Sequence, residues 1–182
     1  MARVPLVDEG AHPELTETIG RLRAGRRGSL INVYRLLLHS PDVALGWFEL
    51  IDAVRFRTSL DDATRELVIV RIAHLNGVPY ILNQHVPAMA RAAGLTPAQW
   101  ETLADWRSSD AFDARQTAVL AYTDAMTVDV GVGHDVFAAL RAFFGDREIV
   151  ELTVLIGAYN MHSRVLRALE IDPEAVPAGV ES

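Results

Sequence analysis

An all-α fold is what this chain predicts, and three observations predict it. Apolar residues recur at steps of three and four over most of its length. No segment sustains period-two alternation, so no sheet is expected. Capping residues, glycines and prolines punctuate the apolar runs where helices would start and stop. At 182 residues one domain is expected over 1–182, with N-terminal helices over 12–58, a core over 60–170 and a tail over 171–182.

The elements follow in order. Leu30 to His39 has helical apolar spacing and stops at Ser40-Pro41. Pro41 to Arg57 continues with Val43, Leu45, Trp47, Phe48, Ile51, Val54 and Phe56. Asp61 can cap the next helix, which runs through Glu66 to about Leu75. Asn76-Gly77 ends it, and Pro79 restarts the chain. Tyr80 to Ala93 reads as one helix closed by Gly94. Thr96-Pro97-Ala98-Gln99 is a capping box, with Thr96 as N-cap and Gln99 reaching back, and a short helix follows through Leu103 and Trp106. Ala114 to Thr127 is a further helix carrying Val119, Leu120 and Met126. Gly131-Val132-Gly133 is a loop, and His134 to Phe144 is a helix ended by Gly145. Asp146 caps the last long helix, Arg147 to about Leu169, and the tail after Asp172-Pro173 is expected to fray. Gly25-Arg26-Arg27-Gly28 reads as a solvated turn or as an anchor for an anionic group. Glu66-Leu67-Val68-Ile69-Val70 echoes Glu151-Leu152-Thr153-Val154-Leu155, and each is followed by an asparagine, Asn76 and Asn160. Chance similarity between buried helices explains the echo as well as duplication does.

Composition narrows the function classes. Half of the residues are hydrophobic and 23% are charged, an ordinary soluble profile. A net charge of −7 argues against a nucleic-acid partner, whose phosphates require a basic surface. No apolar run is long enough for a membrane span, and the N-terminus is too acidic for a signal peptide, so a cytoplasmic location is expected. The cysteine count is zero, which removes disulfides, thiolate metal ligands and intrinsic thiol redox chemistry.

The chemistry-bearing stretch is Arg65-Glu66-Leu67-Val68-Ile69-Val70-Arg71 with the helix that follows. A glutamate within an apolar run needs a partner or a raised pKa. His85 is the nearest downstream side chain that titrates near neutrality. On a continuous helix Val78, Ile81, His85 and Met89 share one face, which would set the imidazole over an apolar floor.

The segment from Arg65 to Leu95 resembles the carboxymuconolactone decarboxylase and AhpD-like family. The redox branch of that family carries a glutamate followed by a Cys-x-x-Cys-x-x-x-His motif. Glu66 falls on the glutamate, Val78 and Ile81 on the two cysteines, and His85 on the histidine. The flanks Ala92-Ala93-Gly94-Leu95, Asn32-Val33-Tyr34-Arg35 and Tyr159-Asn160-Met161 are also family-like. With both cysteine positions aliphatic, the alkylhydroperoxidase chemistry of the redox branch cannot run. The cysteine-free branch often reads Tyr-Glu-Trp-x-x-His. Here Tyr80 and His85 remain, but Ile81 and Leu82 replace the glutamate and tryptophan.

The resemblance implies an AhpD-like helical bundle and a homo-oligomer, trimer or hexamer, with the pocket near a subunit interface. It also places His85 as general acid or base, against a structural histidine bonded to a carboxylate. Glu66 is its orienting partner, or pairs with Arg65 or Arg71 instead. Tyr80 is a candidate oxyanion donor or a core aromatic. Val78, Ile81, Asn83, Gln84, Met89 and Tyr159 are candidate substrate contacts. Tyr159, Asn160 and Arg164 line the pocket from behind or serve helix packing. His74 is a packed or capping histidine, or a partner of Glu66. His12, His39, His134 and His162 carry no motif, and no metal-ligand spacing accompanies His85. The expected function is a cofactor-independent acid/base enzyme acting on a small organic acid, lactone or enol, by decarboxylation or a related lyase or isomerase step. The alternatives are a non-catalytic binding or scaffold protein and, further off, cofactor-free oxygen chemistry on an electron-rich aromatic.

Overall fold

Helix ends are where this sequence speaks most directly. The computed structural model describes residues 2–25, 28 and 30–174, and all regular structure among them is helical. Arg26, Arg27 and the last part of the expected tail, 175–182, lie outside the described residues. The α-helices are α1 (Thr16–Ala24), α2 (Asn32–Leu37), α3 (Pro41–Phe56), α4 (Asp62–Asn76), α5 (Pro79–His85), α6 (Ala88–Ala92), α7 (Pro97–Thr102), α8 (Ala114–Asp124), α9 (His134–Arg141) and α10 (Asp146–Ala168).

Asp61 caps α4 as expected, its Oδ1 accepting from the Thr64 N–H at 2.8 Å. Gly77 ends α4 at φ +60°, a conformation that costs glycine nothing. The Thr96 capping box forms around α7. A second capping box, Asp113 with Gln116, starts α8 and was equally readable from its Asp-x-x-Gln spacing. Asp146 is the first residue of α10.

Two helices depart from the sequence expectation. The single helix expected over Tyr80–Ala93 is two helices, α5 and α6, separated by a cis Val86-Pro87 bond. Pro87 has no N–H to return to the preceding turn, and its ring would collide with that turn's carbonyl. Similarly, α-helical bonding in α8 stops at Asp124, and residues Ala125–Asp129 form a π turn. Val130 follows at φ +65°, ψ −39°, and is 80% exposed. That combination is strained for a β-branched residue.

The described residues fall into two compact units, residues 1–51 with 166–182, and residues 52–165. In the first, Leu22, Val33, Tyr34 and Leu38 are buried, and Tyr34 meets Phe48 edge-on at 5.9 Å. Gly25 is required there, since a Cβ would stand 2.2 Å from Phe48 Cζ. The N-terminal segment is tied to the chain after α10, with Arg3 N–H donating to the Leu169 carbonyl at 2.9 Å and Arg3 pairing with Glu170 at 2.7 Å.

The second unit is built around α4. Every residue from Glu66 to Ala73 is buried. Leu67 and Val70 pack with Ala90, Leu95, Trp100, Leu103, Trp106 and Leu120. Two charges lie in this buried run, and Arg71 is met by Asp124 of α8 through two parallel bonds, Nε to Oδ1 at 2.6 Å and Nη2 to Oδ2 at 3.0 Å. Its Nη1 donates to the Leu103 and Ala104 carbonyls at 3.0 and 2.8 Å, while Trp106 Nε1 donates to Asp124 Oδ2 at 3.0 Å. Each nitrogen of the guanidinium and both oxygens of the carboxylate are thus bonded, which is the condition under which a buried ion pair is tolerated.

Three stability outcomes are expected. Asp124→Ala strands the Arg71 guanidinium and should cost about 3–5 kcal/mol in urea unfolding. Val130→Gly relieves the strained turn without losing packing and should raise stability by about 1 kcal/mol. His74 is half-buried, and burial, then the Arg71 charge, holds its imidazole below the usual histidine range. The folded state therefore resists a proton that the unfolded chain accepts near about pH 6.5, so this contribution is present at neutral pH and lost as pH falls below that value. Urea unfolding at pH 7 and pH 5 should show a smaller drop in His74→Gln than in the wild type.

Candidate functional site

Glu66 and Arg71 are five residues apart on α4, about 140° around the helix, so they address different neighbours. Arg71 turns to Asp124 and is not Glu66's partner. Arg65 is not either, since it pairs with Asp62 at 2.5 Å. His74 lies about 12 Å further along the same helix. The expected partnership with His85 is the one that forms: His85 Nδ1 lies 2.5 Å from Glu66 Oε2, with both side chains 6% exposed.

Local chemistry places the imidazole there. Pro79 is tolerated at the first position of α5 because that N–H is unused, and Pro87 forbids the helix to continue. His85 is thereby the last residue of a seven-residue helix packed beside α4. Nδ1 is thus the ring nitrogen turned to the carboxylate. Tyr159 of α10 meets the His85 ring edge-on at 6.3 Å, and the Tyr159 ring stacks on His162 at 5.8 Å.

The remaining candidates divide. Tyr80 is buried within α5. Val78 and Ile81 are each 2% exposed, and Val78 is the N-cap of α5, outside the helix proper. Asn83 is exposed and Gln84 is half-buried. Met89 is on α6, so the shared helical face expected for Val78, Ile81, His85 and Met89 does not exist as one continuous face. Asn160 is a structural hub. Its Nδ2 donates to Thr127 Oγ1 at 2.9 Å, and its Oδ1 accepts from Asn76 at 3.1 Å and from Arg164 at 3.0 Å. The two asparagines of the sequence echo are therefore bonded to each other.

A cleft of about 350 Å³ lined by Arg107, Ala121, Asp124, Ala125, Val128, Asp129 and Val136 lies beside the Arg71–Asp124 pair and includes neither Glu66 nor His85. Among the described residues no group of three or more His, Asp or Glu is placed to hold a metal ion. No described helix is long and apolar enough to cross a membrane.

Comparison with known proteins places the chain by similarity. Residues 41–125 match the model of the carboxymuconolactone decarboxylase family, a span that contains Glu66, Tyr80 and His85. The uncharacterized Escherichia coli protein YnjA is 29% identical over 133 residues, 72% of this chain and 70% of that one. A protein of unknown function from Agrobacterium tumefaciens that carries the AhpD name superposes with a TM-score of 0.72 at 28% identity, over 77% of this chain and 96% of that one. The debrominase Bmp8, with one cysteine replaced by alanine and 2,3,4-tribromopyrrole bound, superposes with a TM-score of 0.77 at 15% identity, over 96% and 95% of the two chains. Residues 41–125 are thus similar to the carboxymuconolactone decarboxylase family, within an all-helical fold like that of the AhpD-like structures, and the sequence holds no cysteine.

Proposed function

We propose that this protein is a cofactor-independent acid/base enzyme acting on a small organic acid, lactone or enol, by decarboxylation or a related lyase or isomerase step. The buried 2.5 Å bond between His85 Nδ1 and Glu66 Oε2 carries the reading. It fixes the tautomer and stabilises the imidazolium, so Nε2 can take a proton and return it. In a β-keto acid, breaking the bond to the carboxylate releases carbon dioxide and leaves an enolate. The Nε2–H of the imidazolium then protonates the enolate carbon, and solvent restores the proton. Tyr80, five residues before His85 on α5, is the candidate donor to the enolate oxygen. Thiol chemistry of the kind a cysteine would support is closed to this chain.

A non-catalytic small-molecule binder or scaffold protein is the second reading. Val78 and Ile81 favour it, because both are buried and neither offers a proton or a charge. Self-association is also part of the proposal, supported by the exposed Phe137, Phe143, Val150 and Val154.

The test is deuterium incorporation into, and carbon dioxide release from, a panel of small β-keto acids and unsaturated lactones. For any substrate turned over, His85→Asn keeps an N–H near the Nδ1 position but removes Nε2, and should lower kcat by about 10²–10⁴-fold. Glu66→Gln should lower it in the same direction with the circular dichroism spectrum unchanged. Full activity in both variants would discard the acid/base assignment, and tight binding without product would select the binder. A hydroperoxide-reduction assay is expected to read blank.

A further inference from the structure

Arginine pairing differs sharply between two sites in the second unit. Arg71 offers its Nε and Nη2 edge to the Asp124 carboxylate, both bonds formed. Arg55, in the last turn of α3, is also partly buried, yet it enters none of the described ion pairs. Its Nε is buried with no hydrogen-bond acceptor among the described residues. Among the described residues its Nη2 reaches only the Met89 sulfur, at 3.6 Å. Its remaining described contact is with the Phe56 ring, 4.9 Å from guanidinium carbon to centroid. Three residues on, the Thr58 hydroxyl oxygen is a second buried polar atom with no partner among the described residues.

A thioether is a weak acceptor, and a partly buried guanidinium whose carboxylate-binding edge faces one is short of an anion. The same edge on Arg71 shows what it accommodates: a planar group with two oxygens. Met89 is the adaptable side chain to cover such an edge, being unbranched and free to change rotamer. It is also four residues beyond His85, so the two α-carbons are at most about 14 Å apart.

We propose that the Nε–Nη2 edge of Arg55 binds the carboxylate of a small organic acid, with the Met89 thioether as a displaceable cover. Calling that acid the substrate rests on the acid/base reading of Glu66 and His85; the binding itself does not. The anchored carboxylate holds one end of the molecule while its reacting carbon is presented to Nε2 of His85. Arg55 is then a specificity-determining residue that selects anionic over neutral molecules.

The probe is benzoate, with benzamide as its neutral counterpart, titrated by calorimetry and by the NMR signal of the Arg55 Nε–H. Benzoate should saturate the wild-type protein and shift that signal, and benzamide should bind at least about tenfold more weakly. Arg55→Met should lose about tenfold or more in benzoate affinity. Arg55→Lys keeps the charge and the aliphatic stem but not the fork, and should lose a similar factor. Met89→Ala should bind benzoate at least as tightly as the wild type. Equal affinity for benzoate and benzamide, unchanged benzoate affinity in the Arg55 variants, or no saturation of the wild type would each overturn the assignment. Turnover that survives in His85→Asn would instead overturn the acid/base reading while leaving the anion site in place.

Discussion

A helical run buried on all sides cannot carry a charge without a partner, and residues 66–73 of α4 carry two of opposite sign. The rest of the second unit is arranged around that constraint. Burial removes the water that would solvate Glu66 and Arg71, and their separation around the helix prevents them from neutralising each other. Each therefore imposes a demand on a different neighbour. On one side α8 supplies Asp124, supported by two carbonyls and an indole N–H. On the other, α5 supplies His85.

The two solutions differ in chemistry. Arg71–Asp124 is a closed set in which a permanent cation meets an anion and the surrounding donors and acceptors are used. It can hold helices together but has nothing to exchange. Glu66–His85 joins a carboxylate and an imidazole through one ring nitrogen. A group with one nitrogen pinned and the other available is the minimum equipment for moving a proton. The same buried helix thus supports one closed ion pair and the pair on which the proposed acid/base chemistry rests.

Prolines decide how the second pair is presented. Pro79 and Pro87 bracket α5, and the chain turns away immediately after His85. The helix is too short to be stable by itself and depends on packing against α4. The imidazole's position is consequently as well determined as the core beneath it. A debrominase with 15% identity superposes over nearly the whole chain, a likeness of fold alone.

Local signals in the sequence read well wherever the physics is local. Asp61, Gly77, Pro79 and the Thr96 box act within one turn of themselves, so their consequences appear in the structure as expected. The Glu66–His85 pair was readable because a carboxylate in an apolar run demands a partner and few candidates were near. Pro87 works against the pattern around it: its missing N–H divides a helix whose apolar spacing runs on unbroken through it, and with that division Met89 leaves the face of His85. The amino-acid sequence by itself determined the all-helical class, most helix ends and the absence of thiol chemistry, because these follow from composition and from contacts a few residues apart. Only the tertiary structure decided that Arg71 belongs to Asp124, that Asn76 bonds Asn160 and that Arg55 faces a sulfur where Arg71 faces a carboxylate. Those pairings join residues 34 to 84 positions apart, and no local rule of spacing encodes which distant side chain the packed core brings within reach.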